Sequence, residues 1–173
     1  VLLDVWHPIT LMFVRLLLAV STLVVVWAFI EGLSSVLKAP WFKGIKIGLL
    51  GFGLGTNLLL FAQWFTDPIT VALLATLIPV SATILEVWDG RRKLNSKFIL
   101  GLIASIIGGF IAVSENISVD LGWGVLMALG SGFCFMWASD KSVTSLPELS
   151  SIARSSVTFS GAAVFTTISF AVF

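Results

Sequence analysis

The chain has 173 residues, of which 58% are hydrophobic and 11% charged, and its mean hydropathy is +1.08. This composition leaves too few polar side chains to cover a water-soluble globule of that length, which excludes an ordinary soluble domain. A net charge of +1 without a long basic run gives no support to a nucleic-acid partner. The single Cys134 excludes an intrachain disulfide.

Six apolar stretches follow one another along the chain. They cover residues 9–30, 45–65, 69–88, 98–114, 122–138 and 150–173. A helix rises about 1.5 Å per residue, so most of these stretches are long enough to cross a hydrocarbon core of about 30 Å. The sequence therefore predicts an all-α integral membrane protein whose surface contacts the lipid bilayer.

Basic residues occur in alternate gaps between these stretches. In chain order the gaps and the first residues of the stretch after each gap hold Lys38, Lys43 and Lys46, then Arg91, Arg92, Lys93 and Lys97, then Lys141 and Arg154. The other loops hold the acidic residues Asp4, Asp67, Glu115 and Asp120. Because cytoplasmic loops carry an excess of Lys and Arg, residues 31–45, 89–97 and 139–150 are predicted to lie on the cytoplasmic side.

A short motif occurs twice. Pro8 precedes Arg15 by seven residues at the start of one stretch, and Pro147 precedes Arg154 by the same interval at the start of another. Proline is also common at ordinary helix starts, so the motif alone is weak. An odd number of spans begins between the two copies, so the second copy is predicted to enter the membrane from the opposite face. Inverted repeats of this kind are typical of secondary transporters.

Several further motifs occur in a fixed order. They are Phe61-Ala62, Ile78-Pro79-Val80, Glu86, the run from Asn95 to Gly109, and Gly122-Trp123-Gly124. Together with the Pro8-to-Arg15 opening, they resemble the drug/metabolite transporter superfamily in its EamA-like branch. The resemblance implies a ten-helix inverted-repeat permease, of which this chain holds about six to seven helices. Residues 1–114 would be the first half, with its first helix mostly missing, and residues 122–173 the truncated start of the second.

Small residues recur at helical spacing in two stretches. The two sets are Gly44, Gly48, Gly51 and Gly55, and Gly101, Ser105, Gly108 and Ala112. Each set lies on one helical face, and small faces let membrane helices approach closely. We expect both faces to pack against neighbouring helices. Gly51-Phe52-Gly53 is no nucleotide-binding fingerprint, because the third glycine and the Gly-Lys-Ser/Thr motif are missing.

Polar groups at membrane depth are the candidates for substrate binding. We assign this role to Asn57, Thr76, Pro79, Ser131 and Trp137. An amide in the hydrocarbon region needs a partner or water, so Asn57 faces either a neighbouring helix or a cavity. Pro79 lacks an N–H and leaves the Ala75 carbonyl without its usual donor, which either kinks the helix or exposes backbone to substrate. Trp137 is either an interfacial anchor or a binding surface.

Two charged residues lie within or beside the spans. Arg15 either extends its guanidinium to the outer surface, pairing with lipid phosphate or Asp4, or attracts anions in an outer vestibule. Glu86 either pairs with Arg91 or Arg92 near the inner face or relays a proton. Both are candidates for a gating or charge role.

Two rival classes remain beside a transporter. An enzyme is disfavoured because His7 is the only histidine and no catalytic metal motif or serine-protease loop is present, so we predict no metal and no cofactor. A scaffold or receptor-like bundle has no mechanical need for an inverted repeat.

We predict a secondary transporter that moves a small organic metabolite or drug by alternating access. Residues 45–65, 69–88 and 122–138 would line its path. The expected location is a cell membrane, most simply a bacterial inner membrane, with several spans and with a homodimer left open.

The charge alternation makes a direct topological prediction. In a Cys134→Ser background, Lys93→Cys and Ser118→Cys should react with a membrane-impermeant thiol reagent from opposite sides of the membrane. Equal labelling of both cysteines from outside would reject the six-span topology.

Overall fold

The structure is a computed structural model that describes residues 8–66, 68–75, 78–90, 95–114 and 122–172. These residues are helical apart from short connections, and they include no strand. The helices are α1 (Pro8–Glu31), α2 (Leu33–Lys38), α3 (Trp41–Ile47), a π-helix (Gly48–Gly53, the π-segment), α4 (Leu54–Phe65), α5 (Pro68–Ala75), α6 (Ile78–Trp88), α7 (Ser96–Ser114), α8 (Trp123–Ser145) and α9 (Ser151–Val172).

The all-helical prediction is confirmed for the described residues, and the membrane spans are confirmed only in part. Ile9–Glu31 and Trp41–Phe65 are long and apolar enough to cross a bilayer. The second of these joins α3, the π-segment and α4 in one run. The predicted stretch 69–88 is described as α5 and α6. The count of six spans stays a prediction.

One predicted boundary is wrong. The fifth stretch was expected to end at residue 138 and to be followed by a cytoplasmic loop over 139–150, but α8 continues to Ser145. Asp140 and Lys141 therefore lie on the helix. The polar residues of this last turn are compatible with a helix that extends beyond the hydrocarbon core, where hydropathy alone gives no boundary.

The chain divides into two compact units. The first contains Val1–Asn57 and Ala138–Phe173, and the second contains Leu58–Trp137. The divisions fall within α4 and α8, so each of these helices contributes residues to both units. The predicted sequence halves, 1–114 and 122–173, stay a prediction.

In the first unit, α9 contacts α1, α3 and the π-segment. Leu16 of α1 and Ala162 and Ala163 of α9 form a buried apolar cluster. The rings of Phe13 and Phe170 stack with centroids 5.0 Å apart, so the beginning of α1 meets the end of α9. The two helices are therefore antiparallel, as opposite membrane entry requires. The inverted repeat itself stays a prediction.

Glycines allow α9 to touch the backbone of the second span. A Cβ atom on Gly44 would lie 2.5 Å from Val157 Cγ2, and one on Gly53 would lie 2.5 Å from Phe165 Cβ. A Cβ on Gly48 would collide with the Thr158 carbonyl oxygen. The partners advance along α9 in the same order as the glycines, so these two elements run parallel.

The π-segment adds one glycine to those that face α9. The sequence places Gly44, Gly48, Gly51 and Gly55 on one face of an unbroken α-helix, and all four are buried in the structure. Gly53 also faces α9, where it meets Phe165. In a π-helix the hydrogen bond runs from residue i to i+5, so the residue five positions after Gly48 returns to the same side. The glycines that contact α9 therefore include Gly44, Gly48 and Gly53.

Two of the small residues of α7 have open space beside them. A Cβ on Gly101 or on Gly108 would meet no atom within 4 Å. Both glycines are exposed. The expected close packing is therefore wrong for Gly101 and Gly108 among the described residues, because close approach needs a partner as well as small side chains.

In the second unit, α4, α5 and α8 share a buried apolar cluster. Its members are Ala62, Val71 and Ala128. A Cβ on Gly124 would lie 2.8 Å from Thr66 Cβ, and one on Gly130 would lie 3.6 Å from Leu58 Cδ1. The later residue of α8 thus meets the earlier residue of α4, while Gly124 meets Thr66 directly after the end of α4. The two helices α4 and α8 are therefore antiparallel.

Gly48→Ala and Gly101→Ala form a matched pair that tests the packing. Gly48→Ala should lower the free energy of unfolding by about 1–3 kcal/mol, because its methyl group meets backbone that cannot rotate away. Gly101→Ala should leave stability unchanged or raise it by up to about 1 kcal/mol, since alanine favours a helix and the site is open. Thermal unfolding of the full-length protein in detergent measures both. Equal effects of the two substitutions would contradict the packing described here.

Candidate functional site

Ser131 lies in the packed part of the second unit. It is 2% exposed, and its Oγ donates a hydrogen bond of 2.7 Å to the Ala128 carbonyl oxygen. A hydroxyl buried in an apolar bundle needs such a partner, and bonding back to its own helix is a common solution. The hydroxyl oxygen still has lone pairs that can accept from a substrate.

The start of α6 adjoins the turn of α8 that holds Ser131. A Cβ on Gly132 would lie 3.5 Å from Ile78 Cγ1, and Pro79 follows Ile78 in the chain. The structure thus brings together two of the predicted segments, those of Pro79 and Ser131. Thr76 lies outside the described residues. The suggestion that the Ala75 carbonyl is open to substrate stays a prediction.

Asn57 lies in the first unit, one turn after the π-segment. It is 7% exposed, and its Nδ2 donates a hydrogen bond of 3.0 Å to the Gly53 carbonyl oxygen. Its amide therefore has a partner on its own helix. π-Helices are uncommon and occur often at functional sites, and Asn57 lies beside one. The expected convergence of Asn57 with Ser131 stays a prediction.

For the other predicted site residues the structure gives only their degree of exposure. Trp137 on α8 is half-buried, Arg15 on α1 is exposed, and Glu86 on α6 is half-buried. The suggested partners Asp4, Arg91 and Arg92 lie outside the described residues, as do His7, Lys93, Asp67, Glu115 and Asp120. The two alternatives for Arg15 and for Glu86 stay open.

The structure also contains a polar groove that sequence reasoning missed. It has a volume of about 430 Å³ and lies in the first unit, where the end of α1, the α2 region and the residues before α9 meet. We call it the α2 groove; it is lined by Trp27, Glu31, Ser34, Ser35, Lys38, Ala39, Pro40, Glu148, Leu149 and Ser150. The groove brings parts of two predicted cytoplasmic loops together, which agrees with their assignment to one side.

A tryptophan supports one wall of the α2 groove. Trp27 is fully buried, and its Nε1 donates a hydrogen bond of 2.9 Å to Glu31 Oε2. The Trp27 ring packs against Trp41, with centroids 5.9 Å apart, and Trp41 Nε1 donates to the Val36 carbonyl oxygen at 2.7 Å. These bonds fix the Glu31 carboxylate and the turn at Gly32, whose φ of 82° favours glycine.

The opposite wall is held by the first turn of α9. Ser150 Oγ accepts a hydrogen bond from the Ala153 N–H at 3.2 Å, which is a helix N-cap. The guanidinium of Arg154 donates to the Leu149 carbonyl oxygen at 2.9 Å. Arg154 was noted in the sequence only as part of the repeated motif. Its folded role is to fasten the loop that carries Glu148.

Part of the α2 groove could have been found in the sequence. Trp27 and Glu31 are four residues apart, a spacing that places them on one helical face. Their proximity to Glu148 depends on the packing of α9 against α1, and no local pattern reports it. Among the described residues, no group of three or more His, Cys, Asp or Glu side chains is placed to hold a metal ion.

These features describe a helical membrane-type bundle with small-residue contacts and buried hydroxyls. The model of the EamA-like transporter family matches residues 1–114. The chain therefore belongs to the EamA-like transporter family, which agrees with the resemblance to the drug/metabolite transporter superfamily. The family consists of membrane transporters rather than enzymes. Neither a curated protein nor a solved structure matches the chain.

The buried indole of Trp27 makes a testable contribution to stability. Trp27→Ala should lower the free energy of unfolding by about 3–5 kcal/mol, because it removes a fully buried ring and leaves a cavity beside Trp41. Trp123→Ala is the matched control, since Trp123 is 73% exposed, and its effect should stay within about 0.5 kcal/mol. Chemical denaturation of the full-length protein in detergent compares them. A smaller loss for Trp27→Ala than for Trp123→Ala would refute the assignment.

Proposed function

We propose that the full-length protein is a secondary transporter that moves small organic metabolites or drugs across a cell membrane by alternating access. The observation that carries this proposal is the family match over residues 1–114. A multi-pass protein in a bacterial inner membrane is the setting we infer, because the apolar helices are numerous and the basic loops alternate. The ten-helix inverted repeat belongs to the same proposal.

The antiparallel packing of α1 and α9 supports an inverted repeat. Each of the two helices carries the arginine of one copy of the Pro-to-Arg motif, and the stacked rings of Phe13 and Phe170 join opposite ends of them. In transporters with inverted repeats, two halves of opposite orientation enclose a site near the bilayer midplane and move against each other. Residues 1–114 and 122–173 are assigned to these two halves.

We place the substrate path along α4, α5, α6 and α8. The shared cluster of Ala62, Val71 and Ala128 supports this choice, because it makes three of these helices direct neighbours. The substrate-binding groups would be Asn57, Thr76, Ser131 and Trp137, with backbone freed by Pro79. Amide and hydroxyl groups can donate and accept hydrogen bonds with an uncharged polar solute, and the Trp137 ring can cover an apolar part of it.

A membrane scaffold or receptor-like bundle is the alternative. It would use the same glycine contacts, but it would not need solute exchange. Concentration-dependent, saturable uptake or export of a metabolite by cells that express the full-length protein would favour the transporter.

Asn57→Leu tests the proposed site. Transport should fall by about tenfold, because the loss of a hydrogen bond to substrate costs about 1–3 kcal/mol. Thermal stability should change little, since the Gly53 carbonyl is also the regular helix acceptor for the Asn57 N–H. The assay is uptake or export normalised to the amount of folded protein, with a metabolite panel used first to find a transported solute.

Gln63→Leu is the matched control for this substitution. Gln63 carries an amide on the same helix but is exposed, so its replacement should leave transport unchanged. A large loss of stability in Asn57→Leu with normal transport by the folded fraction would make Asn57 a packing residue and contradict the proposed site.

A further inference from the structure

The α2 groove carries charges of both signs within a small space. Glu31 and Glu148 contribute carboxylates, and Lys38 contributes an ammonium group. All three residues are exposed, so their charged groups are open to a ligand. Ser34 adds a hydroxyl, while the Ser35 hydroxyl donates a hydrogen bond of 2.9 Å to the Glu31 carbonyl oxygen. The volume of about 430 Å³ lies within the range of about 300–1,000 Å³ that is usual for small-ligand pockets.

One carboxylate of the α2 groove is held in place before any ligand binds. The buried Trp27 indole donates to Glu31 Oε2, and Trp27 is itself packed against Trp41. A carboxylate fixed in this way loses less freedom when it binds a cation than a mobile one does. The Glu31 side of the groove is therefore suited to an ammonium group.

Large apolar side chains lie on the chain segments that line the α2 groove. Ile30 directly precedes Glu31, and Leu33 and Leu37 directly precede Ser34 and Lys38. These three side chains are between 68% and 81% exposed. In a membrane protein such side chains contact lipid acyl chains, while lysines at the ends of spans reach the headgroups. The groove thus combines a polar interior with an apolar border.

We propose that the α2 groove binds the headgroup of an aminophospholipid, phosphatidylethanolamine. The primary ammonium lies between Glu31 and Glu148, and the phosphate contacts Lys38 and the hydroxyl of Ser34. The acyl chains lie along Ile30, Leu33 and Leu37. This lipid site goes beyond the proposed transport function and does not depend on it.

Charge complementarity selects this lipid over other common ones. A primary ammonium donates three hydrogen bonds, and charge-assisted bonds to carboxylates are stronger than neutral ones. The quaternary ammonium of phosphatidylcholine has no N–H to donate. Phosphatidylglycerol has no cation, so it would bring no ionic partner for the carboxylates of Glu31 and Glu148.

Lipid retention by the purified full-length protein tests the site. The protein is incorporated into nanodiscs that contain equal amounts of phosphatidylethanolamine, phosphatidylcholine and phosphatidylglycerol, and the lipids that remain bound are identified by native mass spectrometry. Phosphatidylethanolamine should be retained in preference to the other two. Glu148→Gln and Lys38→Gln should each reduce this preference roughly fivefold, since each removes one exposed ionic contact.

Two control variants and a soluble competitor complete the test. Lys46→Gln removes an exposed lysine that does not line the α2 groove, so it should keep the preference, and Lys38→Arg should retain most of it. The comparison includes only variants whose melting temperature equals that of the unsubstituted protein. No preference over phosphatidylcholine, a preference for phosphatidylglycerol, or an equal loss in Lys46→Gln would overturn the proposal. Full displacement by equimolar glycerophosphoethanolamine would also overturn it, because the ligand would then be a soluble metabolite.

Discussion

The close contact of α9 with the π-segment is the interaction on which the first unit depends. Gly48 and Gly161 approach so closely that a Cβ on either would collide with the opposite backbone. Lipid tails are as apolar as helix surfaces, so burial of apolar area gains little between membrane helices, and dispersion at short distance must supply the attraction. The same contact positions α9 against α1 and places Ser150 and Leu149 beside the end of α1.

The packing of α9 brings the two helices that carry the arginines of the Pro-to-Arg motif together at the α2 groove. It makes α1 and α9 antiparallel, which agrees with an inverted repeat, and it closes the α2 groove between two segments far apart in sequence. Asn57 and Ser131 lie on α4 and α8, the two helices that contribute residues to both compact units.

Hydropathy predicted most of the helices because a membrane span must satisfy its backbone internally and expose apolar side chains. It did not predict the π-segment, since hydropathy does not report whether a backbone hydrogen bond spans four residues or five, nor the extension of α8 to Ser145. Ser131 was predicted as a polar residue at depth, and its burial follows from the small residues around it. The bond from Asn57 to Gly53, the partner of Trp27 and the proximity of Glu148 to Glu31 depend on rotamers and on contacts between distant segments, which local patterns do not report.

Site-specific crosslinking tests the antiparallel arrangement of α1 and α9 most directly. In the full-length protein with Cys134→Ser, the pair Phe13→Cys and Phe170→Cys is treated in native membranes with a short thiol-specific crosslinker. The stacked rings predict efficient intramolecular crosslinking of this pair. The pair Phe13→Cys and Ser151→Cys joins α1 to the other end of α9 and should not react. Crosslinking of the second pair but not the first would show that the helices are parallel and would contradict the account.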